Sequence, residues 1–219
     1  AHEMPDEPEP TLPSDELWDA VYAGGGTSGT GSYGRLAEFK AEVVNRLISE
    51  HRIESVIELG CGDGHQVSLI EYPRYLGFDT SPTAVGICRE RFGGDPTRDF
   101  RVYATGDEIT DRAELSISLD VIYHLLEDEV FERYMSDLFT IATRLVVVYS
   151  SDTEEETEWP EVRHHRFTTW VAEHAPDWIL RERIPNRFPY VPGDVDSSWA
   201  DFYVFERKPV RRRWWSRTG

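Results

Sequence analysis

The stretch VIELGCGDGHQ, from Val56 to Gln66, decides the fold of this chain. Three of its residues are glycines that directly follow a short apolar run, and two carboxylates, Glu58 and Asp63, lie before and inside the turn. Glycines allow a tight bend and a close approach of a ligand to the main chain, and a helix after the turn offers free N–H groups. A strand, a bare turn and a helix in this order predict a ligand-binding crevice at the carboxyl end of a parallel sheet.

Apolar runs alternate with helical patterns on both sides of this stretch. Strands are predicted at SVIEL, YLGFD, FRVYA, ELSISLDVI and RLVVVYS, with helices at RLAEFKAEVVNRLISEH, HQVSLI, SPTAVGICRERF and EDEVFERYMSDLFTIA. This alternation is typical of parallel strands joined by helical crossovers. Two further strands, DWILRERI and SWADFYVFERK, are separated by a loop alone. We therefore expect a single doubly wound, Rossmann-like α/β domain with a mostly parallel seven-stranded sheet and an antiparallel C-terminal strand.

The length and the charge limit the possible partners. In 219 residues we expect one domain, 17–208, after a disordered leader rich in Pro and Glu (1–16) and before a basic tail (209–219). The chain has 41 acidic and 23 basic side chains and a formal charge of −18, which disfavours nucleic acid and anionic membranes as partners. Without a signal peptide or a long apolar run, a cytoplasmic location is expected. A homo-oligomer stays open, and Cys61 and Cys88 are expected to be reduced.

A further carboxylate, Asp79, ends the next predicted strand, seventeen residues beyond Gly62. An acid in this place can accept hydrogen bonds from a ribose diol. A dinucleotide site would have the pattern G-x-G-x-x-G and would accept a pyrophosphate, whereas this turn reads G-C-G-D-G. Glu58 and Asp63 also place negative charge where a pyrophosphate would lie. The pattern favours a nucleoside cofactor with cationic groups and makes an NAD-dependent dehydrogenase the least favoured alternative.

At these residues the sequence resembles the class I S-adenosylmethionine-dependent methyltransferases. Their first motif is an acidic residue, a small apolar residue and G-x-G-x-G after a strand. Asp79 matches their ribose-binding acid, and SLDVIYHL, residues 118–125, matches their fourth motif. The resemblance covers roughly 38–207 and implies S-adenosyl-L-methionine as the cofactor. A cofactor-binding subunit without catalytic activity remains an alternative.

The resemblance also implies a set of cofactor-binding residues. The glycines would line the amino-acid half of the cofactor, and Asp79 would hold its ribose. Asp107 would contact the adenine or, as an alternative, cap a helix. Tyr33 and Arg35 follow a glycine-rich loop and would close over the cofactor, with Arg35 paired to its carboxylate. The predicted set comprises Tyr33, Arg35, Glu58, Gly60, Gly62, Gly64, Asp79, Thr80, Asp107 and Leu119.

His124 is the candidate catalytic base. If the acceptor is an alcohol, its proton must leave during methyl transfer, and a base or a metal ion then helps. Asp120 precedes His124 by four residues, so one helical turn would place the carboxylate where it orients the imidazole. Asp120 and a carboxylate from DTEEETE, residues 152–158, could alternatively bind Mg²⁺. A structural role for His124 stays open.

The candidate acceptor residues are His164, His165 and Arg166, which follow the fifth strand. In this family the acceptor pocket usually lies on that side. The segments GGGTSGTGSYGRLAEFKAE, SLDVIYHLLEDEVFERYM and IPNRFPY…DFYVFE resemble a small bacterial group associated with polysaccharide and glycan biosynthesis. The resemblance implies O-methylation of a sugar or short oligosaccharide. The alternative is a small-molecule methyltransferase acting on a carboxylate or a nitrogen.

Overall fold

The computed structural model describes residues 13–104 and 107–209, without the side chains of Ser14 and Asp15. Most of the predicted leader (1–16) and nearly all of the predicted basic tail (209–219) therefore lie outside the described residues. Regular structure begins at Ser14, three residues before Leu17, because the first helix already starts inside the segment predicted as leader.

The described chain forms six α-helices and seven strands. The helices are α1 (Ser14–Ala23), α2 (Gly34–His51), α3 (His65–Ser68), α4 (Pro82–Phe92), α5 (Asp128–Ile141) and α6 (Phe167–His174). The strands are β1 (Val56–Leu59), β2 (Tyr75–Asp79), β3 (Arg98–Val102), β4 (Ala113–Leu119), β5 (Ala142–Ser150), β6 (Trp178–Ile184) and β7 (Asp201–Arg207). Two 3₁₀ turns cover Thr30–Ser32 and Ile122–His124.

The strands form one sheet in the order β3-β2-β1-β4-β5-β7-β6. The first five strands pair in parallel, and β7 is antiparallel to both of its neighbours, β5 and β6. The predicted fold class is thus confirmed, including the antiparallel C-terminal strand. The chain order reverses between β1 and β4, and ligands of open α/β sheets bind at such a switch point.

Two apolar layers cover the faces of the sheet. Alternate residues of β1 show the division, since Val56 packs with α2 and α4 while Ile57 packs with α5 and α6. The central strand β5 is buried over its last six residues, because helices cover both of its faces. The helices on the two faces hold the sheet rigid, so the loops at the carboxyl ends of β1, β2 and β4 have a fixed base.

Helix α1 is attached to the start of α4. The Ser81 hydroxyl accepts a hydrogen bond from the Ala84 N–H at 3.0 Å and so caps α4, with Pro82 at the first helical position. The Asp19 carboxylate of α1 accepts from the same Ser81 hydroxyl at 2.5 Å and from the Thr83 N–H at 3.2 Å. These bonds hold α1 across the carboxyl end of the sheet. Among the described helices, none is long and apolar enough to cross a bilayer.

Candidate functional site

A cavity of about 1010 Å³ opens at the carboxyl ends of β1, β2 and β4, beneath α1. Its volume lies at the upper end of the range of roughly 300–1,000 Å³ that is usual for small-molecule sites. The glycine turn, Asp79 and Thr80 line one part of it. His124, Glu161 and Trp199 line another. The cavity therefore has two parts with different lining residues.

Two glycines of the turn have backbone conformations and close neighbours that leave no room for a side chain. Gly60 has φ +88° and Gly62 has φ +55°, both in the left-handed region. A Cβ atom at Gly60 would lie 2.4 Å from Val121 Cγ2, and one at Gly62 would lie 2.3 Å from Ser28 Oγ. The turn must therefore stay bare, and it forms part of the cavity wall with its main chain.

Asp79 lies directly against the glycine turn. Its Oδ2 accepts a hydrogen bond from the Gly62 N–H at 2.8 Å, and its Oδ1 accepts from the Ser81 N–H at 3.0 Å. Burial raises the pKa of the Asp79 carboxyl, while these N–H groups act to lower it. The structure thus brings together the ends of β1 and β2, as the sequence predicted, and Asp79 still has lone pairs for a further donor.

The glycine-rich loop at 24–31 is fastened to the turn by Asp63. Asp63 Oδ2 accepts from the Ser28 N–H at 3.0 Å, and the Asp63 N–H donates to Ser28 Oγ at 2.9 Å. The Tyr33 hydroxyl and the His65 N–H also donate to this carboxylate, at 2.8 and 2.9 Å. Burial alone would raise the pKa of Asp63, but the hydrogen bonds from His65, Ser28 and Tyr33 hold it below its ordinary value. We call this set of bonds the Asp63 clamp.

Four predicted cofactor residues do not line the cavity: Tyr33, Arg35, Gly64 and Asp107. Tyr33 serves the Asp63 clamp and stacks on His65 at 4.1 Å between ring centroids. Arg35 points to the loop before β7, where it pairs with Asp194 at 2.7 Å and bonds to the Asp196 carbonyl at 2.8 Å. A Cβ at Gly64 would meet Cys88 of α4, so this glycine serves packing. The prediction that Arg35 faces a cofactor carboxylate does not fit, because one salt bridge and one hydrogen bond already engage it on the outer surface.

Glu58 forms a buried acidic part of the cavity wall. Its Oε2 accepts a hydrogen bond from the Tyr75 hydroxyl at 2.6 Å and from the Tyr72 hydroxyl at 3.4 Å. Burial raises the pKa of Glu58 to about 7, against the lowering effects of Tyr75 and of the nearby Lys40 ammonium. A cation bound in the cavity would favour the ionised form of this carboxyl.

At the β3 side of the cavity, Asp107 does not have the predicted position. Its Oδ2 accepts from the Ala104 N–H at 3.0 Å across the loop, whose residues 105 and 106 lie outside the described ones. Asp107 therefore neither lines the cavity nor caps one of the described helices. The cavity is lined here by Phe78, Tyr103 and Arg133 instead. These side chains come from β2, the end of β3 and α5, and no motif in the sequence joins them.

His124 lies half-buried on the cavity wall, in the 3₁₀ turn after β4. Its Nδ1 lies 2.9 Å from the Glu161 carbonyl oxygen. A carbonyl oxygen only accepts, so Nδ1 carries the hydrogen and Nε2 of the neutral ring has the free lone pair. Trp18 of α1 contacts the ring edge-to-face at 4.9 Å between centroids. Burial lowers the pKa of His124, so the ring is neutral at neutral pH.

Asp120 and His124 do not form the predicted hydrogen-bonded pair. Asp120 Oδ2 instead pairs with the ammonium of Lys40, and Oδ1 accepts from the Tyr123 hydroxyl at 2.6 Å. The helical turn that would align residues 120 and 124 is replaced by a left-handed residue, since Asp120 has φ +61°. The Asp120 charge still acts on the His124 ring through space, in the direction that raises its pKa.

Both Asp120 oxygens are thus engaged by donors, so a bound Mg²⁺ would have to displace the Lys40 ammonium. Three carboxylates of the segment 152–158, those of Glu154, Glu155 and Glu156, line a separate pocket rather than the main cavity. Within residues 13–104 and 107–209, no group of three or more His, Cys, Asp or Glu side chains is arranged to hold a metal ion.

The predicted acceptor residues also belong to that separate pocket, of about 600 Å³. His165 is buried against Phe131 with ring centroids 4.0 Å apart, and its Nε2 bonds to the Leu125 carbonyl at 2.8 Å. His164 Nδ1 lies 2.7 Å from Ser151 Oγ, and Arg166 is exposed at the start of α6. His164, His165 and Arg166 therefore lie outside the main cavity, because the segment 151–166 folds back towards α5.

Lys40, Trp18, Glu161 and Trp199 line the main cavity but were not singled out by the sequence. Lys40 carries the one detectable signal, since a lysine falls on the apolar face of a helix that is buried at Phe39, Val43 and Val44. The other three reach the cavity from segments that are remote along the chain. No local pattern connects them.

No family model matches the sequence, and no curated protein matches it either. Solved structures do share the fold. The N-methyltransferase NodS from Bradyrhizobium japonicum WM9 in complex with S-adenosyl-L-homocysteine is 13% identical, with 90% of this chain and 99% of NodS covered and a TM-score of 0.70. Magnesium protoporphyrin IX methyltransferase (ChlM) from Synechocystis PCC 6803 with bound SAM is 13% identical, over 91% and 100% of the two chains, with a TM-score of 0.61.

The methyltransferase domain of bacterial CtHen1-C is 17% identical, over 78% of this chain and 98% of that domain, with a TM-score of 0.61. The three proteins bear different methyltransferase names, and all superpose on most of the present chain. The chain therefore has the Rossmann-like α/β fold of S-adenosylmethionine-dependent methyltransferases.

Proposed function

We propose that the protein is an S-adenosyl-L-methionine-dependent O-methyltransferase that acts on a hydroxyl of a sugar or short oligosaccharide. The single observation that carries the cofactor assignment is the contact between the Gly62 N–H and Asp79 Oδ2 at 2.8 Å. It joins the bare main chain of the glycine turn to a buried carboxylate at the carboxyl ends of β1 and β2. A ribose diol fits the remaining lone pairs of Asp79, and the main chain at Gly60 and Gly62 fits a ligand that approaches closely.

The charges of the cavity support the same cofactor. Around the turn, the described lining residues include three acids, Glu58, Asp79 and Asp120, and one cation, Lys40, whereas a pyrophosphate would need an excess of cations or free N–H groups. The sulfonium and the α-ammonium group of the proposed cofactor are both cationic. An acidic wall therefore favours this cofactor over a dinucleotide.

His124 is the proposed general base. When bound, the cofactor would supply an electrophilic methyl group, whose carbon–sulfur bond would break, with its electrons left on sulfur, as the hydroxyl oxygen bonded to the carbon. His124 accepts the hydroxyl proton at Nε2, and the Glu161 carbonyl keeps the Nδ1–H tautomer in place. Burial depresses the pKa of the ring and so keeps Nε2 unprotonated at neutral pH.

The aromatic wall of the cavity supports a sugar acceptor. Trp199 lines the cavity and packs on Tyr190 with ring centroids 4.3 Å apart, and Trp18 lies beside His124. Aromatic faces next to hydroxyl-binding groups suit the apolar faces and polar edges of sugars. The sequence segments noted above also resemble the mycobacterial sugar O-methyltransferase that caps the reducing end of methylmannose polysaccharides. Mannosides are therefore the first acceptors to test.

The test has two steps. Calorimetry with S-adenosylhomocysteine and with NAD examines the cofactor, and binding of NAD alone would contradict the assignment. Incubation with radiolabelled methyl donor and a panel of mono- and disaccharides, some already methylated, then examines the acceptor. Parallel reactions contain a chelator or Mg²⁺.

Transfer to hydroxyl-bearing sugars is the expected result. Transfer only to amines or carboxylic acids would replace the proposal with a small-molecule methyltransferase. Tight cofactor binding without transfer to any acceptor would indicate a cofactor-binding subunit.

A further inference from the structure

A buried lysine lies on the wall of the main cavity without a role in the chemistry described so far. The side chain of Lys40, in the middle of α2, is 1% exposed, and its ammonium pairs with Asp120 Oδ2. It lies 5.4 Å from the centroid of the Tyr149 ring and acts electrostatically on Glu58. Burial of an ammonium group is costly, so a lysine in this place calls for an explanation beyond packing.

Lys40 lies beside the glycine turn, which would line the amino-acid end of the proposed cofactor. Its partner Asp120 directly follows β4, and the next residue, Val121, packs against the glycine turn at Gly60. Gly31 also comes close, because a Cβ there would lie 3.0 Å from Asp120 Oδ2. The ion pair therefore lies between the glycine turn, the end of β4 and the loop that covers them. Asp79, at the end of β2, lies on the other side of the turn.

Few cations are available for the cofactor's carboxylate. Among the described residues that line the cavity, the lysines and arginines are Lys40 and Arg133. Arg133 belongs to the β3 side, where it bonds to Asp137 at 3.0 Å and to the Asp107 carbonyl at 2.8 Å. Arg35 faces the outer surface. This leaves Lys40 as the cation at the turn.

We infer that Lys40 binds the α-carboxylate of S-adenosylmethionine while Asp120 faces its α-ammonium group, a role that rests on the proposed cofactor. The amino-acid end of this cofactor carries one charge of each sign, and the Lys40–Asp120 pair presents the complementary charges. In a buried site, such charge-assisted bonds are about twice as strong as neutral ones. The ion pair thus serves as a preformed receptor for a zwitterion.

The first test uses the unmodified protein, since the chain contains two lysines, Lys40 and Lys208. Selective ¹³C labelling of lysine side chains gives one NMR signal for each. S-adenosylhomocysteine is compared with its decarboxylated analogue, S-adenosyl-3-thiopropylamine, which keeps the amine and lacks the carboxylate. We expect the Lys40 signal to shift with the first ligand and to stay near its free position with the second. Lys208, exposed after β7, is the internal control.

The second test measures affinities by calorimetry. In the unmodified protein, loss of the carboxylate should weaken binding by about 10- to 100-fold. In Lys40→Met, loss of the carboxylate from the ligand should weaken binding by less than about threefold. The matched control is Arg35→Met, a cation of the same helix that faces away, and its carboxylate penalty should equal that of the unmodified protein. Lys40→Met/Asp120→Asn removes both charges and serves if the single variant fails to fold, since Asn tolerates a left-handed backbone.

Each outcome supports or overturns the assignment. An equal carboxylate penalty with and without Lys40, or equal Lys40 shifts with both ligands, would assign Lys40 to packing or to the acceptor. If the loss of the carboxylate no longer weakened binding in Arg35→Met, Arg35 and not Lys40 would be the residue that binds the carboxylate. If S-adenosylhomocysteine does not bind the unmodified protein at all, the proposed cofactor itself fails, which is a distinguishable result.

Discussion

The two parts of the main cavity are built in different ways. The part around Gly62 and Asp79 is held by N–H groups of the main chain, which donate to the Phe78 carbonyl and to the single carboxylate of Asp79. The part around His124 is assembled by side chains and carbonyls from α1, the turn after β4, and the loops that carry Glu161 and Trp199. Apart from Asp79, the first part thus depends on the main chain, whereas the second part depends on several particular side chains. We call the first the cofactor part and the second the acceptor part, after the ligands proposed for them.

The largest expected effect lies in the acceptor part. His124→Ala should lower turnover of the hydroxyl acceptor by about 10²–10⁴-fold, because a positioned base contributes that much to proton transfer. Affinity for S-adenosylhomocysteine should change little. The unmodified enzyme should gain activity as the pH rises through a value below about 6.5 and then reach a plateau, since burial lowers the pKa of His124.

His174→Ala is the matched control for this prediction. His174 also bonds through Nδ1 to a carbonyl, at 3.0 Å from Trp170 O, and also contacts an indole ring at 4.9 Å between centroids. It lies on α6 and does not line the cavity. Equal losses in the two variants would indicate that His124 acts through stability alone.

In the cofactor part, the largest effect is expected at the bare turn. Gly60→Ala should destabilise the fold by about 2–5 kcal/mol, from a left-handed alanine and from overpacking against Val121. Chemical denaturation measures this loss. Gly86→Ala is the control, since nothing lies within 4 Å of its added Cβ in α4, and it should stabilise the protein by about 0.4–1 kcal/mol. Normal stability of Gly60→Ala would show that the turn is less tightly packed than described.

A smaller effect is expected at the Asp63 clamp, which fastens the loop 24–31 to the glycine turn. Asp63→Asn places an amide donor against the donors of Ser28, Tyr33 and His65, so the loop 24–31 should open more often. We expect faster proteolysis in this loop and about tenfold weaker binding of S-adenosylhomocysteine. The pKa of Asp63 is lowered, so the clamp is fully formed above pH 3.8 and weakens as the pH falls below that value.

Asp95→Asn provides the comparison for the clamp. Asp95 also accepts from the N–H two residues ahead, Thr97, at 2.9 Å, but it is exposed in the loop before β3. Its substitution should leave proteolysis of the 24–31 loop unchanged. Equal rates of proteolysis in the two variants would show that the Asp63 clamp does not hold the 24–31 loop in place.

The smallest effect concerns Glu58, on the floor of the cofactor part. Its pKa of about 7 means that the carboxyl is partly protonated at neutral pH. Binding of the cationic cofactor favours the ionised form, so a fraction of a proton should be released near pH 7 and affinity should rise with pH through this range. Calorimetry in buffers of different ionisation enthalpy measures the release. Glu58→Gln should abolish it, and an unchanged release would assign the proton to another group.

The sequence predicted the fold and the position of the glycine turn because these signals are local. Glycines at 60 and 62, an acid at 79 and the alternation of apolar runs all follow from backbone constraints within short segments, and the fold they predicted is confirmed. Where a prediction relied on regular geometry between elements, it was less successful. The expected helical alignment of Asp120 and His124 is replaced by a left-handed backbone at Asp120, and Arg35 extends to Asp194 instead of the cavity.

By itself the sequence determined the sheet, the bare turn and the acid that contacts it, since periodicity and glycine placement act over a few residues. Only the tertiary structure decided which charged groups line the cavity. Lys40 meets Asp120 across eighty positions of the chain, and His124 takes its tautomer from the carbonyl of Glu161. Such contacts depend on the direction in which each side chain leaves its element, and the packing of the helices on the sheet sets that direction.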